Sequence, residues 1–126
     1  MRSDPRLARI RDRLSKKWLG GTLRPPIFWA DLRENGTDTV GLYLFETRHI
    51  EIADWLQDRR VPRREVEFTI WHELVHAALD HLDGDPHGPV FWAVEALHPY
   101  KSRSDRWILT KQAAEIRDSW YDAHDD

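Results

Sequence analysis

The sequence predicts an α+β fold: a small, mainly antiparallel sheet packed on one buried helix, with further helices flanking it. Three observations carry this. Residues 63–82 are apolar around most of a helical circumference, as only a buried helix is. Residues 40–45 and 48–53 are short strand-like stretches around a two-residue turn, and the second alternates Ile50 and Ile52 with His49 and Glu51. Both ends of the chain carry amphipathic helical spacing.

In chain order, residues 5–19 read as a first helix. Pro5 suits its first turn, Leu7, Ile10, Leu14 and Trp18 recur at helical spacing, and Gly20-Gly21 stops it. Pro25-Pro26 opens an extended stretch through Ile27–Ala30, and Glu34-Asn35-Gly36 signals a turn. A short helix is expected over 53–60. After the buried helix comes the loop DGDPHG. A shorter helix follows from Pro89 to about Leu97, ending before Pro99, and a last amphipathic helix covers 109–123. The seven tryptophans are expected mostly in the core or in the wall of a cleft.

The length of 126 residues suits one domain spanning 1–126. No run approaches the ~20 apolar residues that cross a bilayer, so no membrane partner is expected. The N-terminus lacks an apolar signal core, and there is no cysteine. Disulfides, thiol catalysis and Cys-based zinc ribbons are thereby excluded, and a cytoplasmic location is expected. Any metal must be held by His, Asp or Glu. The net charge of −3 conceals an asymmetry: residues 1–25 carry eight basic side chains against Asp4 and Asp12, a net +6, and the remainder carries −9. Such a basic arm is either a solvated helix face or a polyanion contact.

The chemistry lies in His72-Glu73-Leu74-Val75-His76, an HExxH pattern inside the buried helix. Positions four apart lie about 40° apart around a helix and ~6 Å along it, so His72 and His76 can aim at one metal ion. Glu73 projects beside them, placed to take a proton without being a ligand. Three polar side chains in an otherwise apolar helix cost several kcal/mol unless they have partners, which favours a built site over a chance match. A third ligand is required. Asp80, His81, Asp83, Asp85, His87, Glu95 and His98 are the candidates downstream. Asp80 suits the role of orienting a ligand, and His81 points off the face as a surface residue. His87 stands in a loop that can fold back to the metal, and Glu95 lies on a second helix.

With the following HGPVFW, these residues resemble the SprT-like zinc metallopeptidases. The likeness rests on His72, Glu73, His76, Ala77, His87, Gly88 and Phe91. Upstream it rests on Trp18, Leu23, Pro25, Pro26 and Trp29 and on the strands. It covers roughly residues 5–98. It implies a zincin-like fold, Zn²⁺ held by His72, His76 and His87, Glu73 as general base, and hydrolysis of a protein or peptide substrate. It also suggests DNA-associated proteins as substrates and DNA as a partner of the basic N-terminal helix. The Cys-based zinc segment carried by many members after this core is absent. Tyr43, His98 and Tyr100 are candidates for a further oxyanion donor, and the Val40–Phe45 region for a sheet edge that takes extended substrate. Two rival readings stand beside this one. In one, the chain is a non-catalytic or nucleic-acid-binding module that contains zinc. In the other, it is a gluzincin-type peptidase with Glu95 as third ligand.

Overall fold

The computed structural model of the chain describes residues 1–81, 87–99 and 107–125. It is α+β. In order come α1 (Pro5–Trp18), β1 (Ile27–Ala30), β2 (Gly41–Leu44), β3 (His49–Ala53), α2 (Arg63–Ala78), α3 (Pro89–Glu95) and α4 (Lys111–His124). A 3₁₀ turn at Arg33–Asn35, capped by Gly36, forms the expected turn at 34–36, and the short helix expected over 53–60 is a single 3₁₀ turn at Asp54–Gln57.

The sheet is mixed rather than mainly antiparallel, with strand order β1-β3-β2. β2 and β3 form the expected hairpin, with Leu42 opposite Glu51. β1 runs parallel to β3, with Ile27 beside Ile50 and Trp29 beside Ile52. Alternation in a sequence reports which face is buried and is silent on strand direction, so the parallel pair was not legible. β3 is central, and every residue in it except Glu51 is buried. The outer edge of β1 is covered in part by Arg2, whose N–H and C=O both bond to Trp29, at 2.9 and 2.8 Å. The outer edge of β2 faces the site described below.

Ile27, Trp29, Tyr43, Ile50 and Ile52 share one sheet face. α2 lies at the centre of the molecule, against β2, β3, α1 and α3. Ile70, Trp71, Leu74 and Val75 on it are fully buried, as its all-round apolar sequence requires. α1 contributes Leu7, Ile10 and Leu14, and α4 contributes Ala113, Ile116 and Tyr121. Asp4 caps α1 by accepting a bond from the Arg6 N–H at 2.9 Å. Gly20 and Gly21 end that helix at φ of 85° and 88°, a conformation that favours glycine. Four tryptophans are buried (Trp29, Trp55, Trp71, Trp107), Trp18 and Trp120 are half-buried, and Trp92 is exposed. No helix among the described residues is long and apolar enough to cross a membrane.

Candidate metal centre

α2 delivers His72, Glu73 and His76 from one stretch of buried helix. His87 stands immediately before α3, whose first residue is Pro89; proline at the start of a helix fixes the chain's entry there. One ligand nitrogen from each of His72, His76 and His87 lies within 4.8 Å of the others. The ring centroids of His76 and His87 are 4.7 Å apart, and those of His72 and His76 5.1 Å. Phe91, 2% exposed, packs against all three rings at 4.4–5.2 Å and forms an apolar floor beneath them. Phe45, at the β2–β3 turn, stands over His76 at 6.3 Å. His76 is buried, His72 half-buried and His87 exposed, so the group is walled on one side and open on the other.

The Nδ1 atom of His72 is hydrogen-bonded to the carboxylate of Glu95. Glu95 is itself anchored to α2, because its carbonyl accepts the indole N–H of Trp71 at 2.9 Å. The bond to Nδ1 leaves Nε2 of His72 as the nitrogen that could hold a metal ion. Burial, reinforced by the charges of His72 and His87, pushes the His76 imidazole down to about 4, which keeps it neutral near pH 7. Three imidazoles, one oriented by a carboxylate and one held neutral, are a donor set that suits zinc.

Glu73 is buried beside this group. Burial pushes its carboxyl up to about 7; the charge on Glu95 adds to that, while His72 and the backbone N–H of Tyr43 pull it back. That value suits a group that exchanges a proton near neutral pH. The strand places Tyr43 for this contact. Ala53 N–H donates to the Val40 carbonyl at 2.8 Å, so the peptide groups of residues 40, 42 and 44 face β3 and those of Gly41 and Tyr43 face outward.

The other sequence candidates are placed as follows. Asp80 does not orient a histidine: α2 ends at Ala78, and Asp80 accepts from the Tyr43 hydroxyl at 2.8 Å with Arg48 3.6 Å away. That bond also commits the Tyr43 hydroxyl, which burial pushes up to about 12. His81 is an exposed residue, as expected. His98 is buried against Phe68 and Trp71, 3.4 Å from Glu67. Asp83, Asp85 and Tyr100 lie outside the described residues. The sequence alone did not reveal the hydrogen bond between His72 and Glu95, the Tyr43 N–H on Glu73, or the close seat of Gly41, where an added methyl would lie 2.9 Å from Cγ2 of Thr69 and 3.0 Å from Oε2 of Glu73. The last had a signal, since a glycine inside a strand marks a close backbone approach.

Together these features define a class: an α+β protein in which two histidines of the central helix and a third just ahead of α3 form a group fit to hold a metal ion. The chain belongs to the SprT-like family, which matches it over residues 8–100. A search of curated proteins and a search of solved structures each returned no match.

Proposed function

We propose that this chain is a zinc-dependent endopeptidase with a zincin-like site. The observation that carries the reading is the convergence of His72, His76 and His87 beside the buried carboxyl of Glu73. Family membership supports it. His72, His76 and His87 would hold the ion, and zinc so held polarises a scissile carbonyl and activates water for attack. Glu95 orients His72, and Phe91 keeps the inner side of the group dry. Glu73 takes the proton of the attacking water and hands it to the leaving amine. Its place outside the histidine group, in bonding contact with an outward-facing N–H of β2, fits a proton carrier rather than a ligand. The outer edge of β2 runs past Glu73, so an extended substrate can lie along Gly41–Tyr43. Zinc content after dialysis, together with cleavage of an unfolded protein substrate with and without a chelator, tests the proposal. One tightly held zinc and chelator-sensitive cleavage are expected; zinc-free protein that cleaves equally well contradicts it.

A second reading concerns the partner. A groove of about 780 Å³ between α1 and the segment leading into α2 is lined by Arg6, Arg9, Arg13, Arg59 and Arg63. Arg6 pairs with Asp4 and Arg13 with Glu67. Arg9, Arg59 and Arg63 have no ion pair among the described residues, and they favour DNA as the partner through phosphate contacts.

A further inference from the structure

A second cavity, of about 440 Å³, opens directly beside His72 and Glu73. Resting on the peptidase reading above, we infer that this cavity is the specificity pocket of the enzyme. It takes a large apolar side chain from the substrate residue whose amine leaves.

Four parts of the chain build the pocket. Leu42 comes from β2, Val40 immediately precedes that strand, and Phe68 comes from α2. Leu56 comes from the 3₁₀ turn at Asp54–Gln57, and Trp107 and Ile108 precede α4. These six walls are apolar, and Leu56, Phe68 and Trp107 are themselves buried in the core, so the pocket is backed by rigid packing. The buried indole N–H of Trp107 has no hydrogen-bond partner among the described residues, while other polar groups of the wall are already held. The Thr69 hydroxyl donates to the Glu65 carbonyl at 2.7 Å. Glu65 is 4% exposed, with the Arg64 guanidinium 3.6 Å away. Asp38 sits at the rim, 3.9 Å from Arg117. An acidic side chain entering the pocket would lose its water and face the carboxylates of Asp38, Glu65 and Glu73, whereas a basic one would lose its water and find Glu65 and Asp38 already paired with Arg64 and Arg117. An apolar one exchanges water for packed surface. The volume is within the range of pockets that enclose a whole side chain and part of its backbone.

The side of the scissile bond follows from the residues shared with the site. Glu73 and His72 line this cavity, whereas His76 and His87 do not. Glu73 is the group that returns the proton to the departing amine, so the amine-bearing residue lies on its flank.

Two measurements test this. The first compares the zinc-loaded enzyme on quenched peptides that differ only in the residue after the scissile bond. Leu or Phe should raise kcat/KM at least ~10-fold over Ala, Asp or Lys, the usual effect of filling an apolar pocket. Val40→Phe, and independently Ile108→Trp, should fill the cavity and shift the preference to Ala. Equal rates for all side chains, or a preference for Asp or Lys, would overturn the inference. The second needs no turnover. Titration with leucinamide, monitored by NMR, should move the Trp107 indole N–H signal, lysinamide should not, and Val40→Phe should abolish the effect. If no peptide is cleaved, the peptidase reading has failed, and this titration still decides the pocket: a Trp107 signal indifferent to leucinamide contradicts it.

Discussion

Glu95 and His72 are joined by a hydrogen bond from the imidazole Nδ1 to the carboxylate, linking α3 to α2. Glu95 thus bonds to one of the three clustered histidines and is not itself a member of that group. Glu95→Gln should weaken zinc binding by about 10–100-fold while leaving one zinc per chain at saturation, the usual effect of removing such a partner. His87→Ala should lose stoichiometric zinc after dialysis. Competition against a chelator of known affinity separates the two. If Glu95→Gln loses zinc as completely as His87→Ala, Glu95 is itself a ligand and the gluzincin-type arrangement is correct.

Gly41 brings β2 into close approach with Glu73. A methyl group there would lie 3.0 Å from Oε2 of Glu73 and 2.9 Å from Cγ2 of Thr69. Gly41→Ala should therefore displace Glu73. Misplacement of a catalytic group by about 1 Å costs up to ~100-fold, so kcat should fall at least ~10-fold while zinc content and the circular dichroism spectrum are retained. Full activity in this variant would mean that the carboxylate has room to move without cost.

Asp4 ties the start of α1 to β1. Its carboxylate accepts from the Arg6 N–H and, at 3.0 Å, from the indole N–H of Trp29. Asp4→Ala removes a helix cap and strands a buried N–H, so chemical unfolding should report a loss of about 2 kcal/mol. The bonds from Arg6 and Trp29 hold the Asp4 carboxyl below its ordinary value of 3.8. A carboxyl depressed by folding stabilises the fold fully above its unfolded value and loses that contribution as pH falls through the folded one. The gap in stability between wild type and Asp4→Ala should thus be constant from pH 5 to 7 and shrink below about 4.

The basic groove yields a salt-dependent prediction. Changing Arg9, Arg59 and Arg63 together to Gln should weaken DNA binding and lower the slope of log affinity against log salt by about two to three. Arg13 is less informative than its place in the sequence suggests, since Glu67 already holds it. Fluorescence anisotropy with a short duplex at several salt concentrations measures both quantities. An unchanged slope would return these arginines to solvated helix faces.

The sequence made the helices legible because their periodicity and stop signals are local. Pro5, Gly20-Gly21 and the all-apolar stretch of α2 set their elements to within a few residues. His72, Glu73 and His76 were legible for the same reason, as i, i+1, i+4 positions of one helix. Contacts across elements were not. Nothing in the alternation of Ile50 and Ile52 reports that β1 runs parallel to β3. Nothing near Asp80 reports that the Tyr43 hydroxyl claims it, nor does the spacing of Glu95 distinguish a ligand from the partner of a ligand. Each depends on where a separate element comes to rest.

The central claim is that Glu73 carries the proton and His72, His76 and His87 carry the metal. Glu73→Gln keeps the size and polarity of the side chain and removes only the basic carboxylate. The decisive measurement is the peptidase rate of this variant alongside its zinc content, on the same preparation as wild type. One zinc per chain with a rate lower by at least ~100-fold is the predicted result. Unchanged turnover with zinc retained would contradict the mechanism.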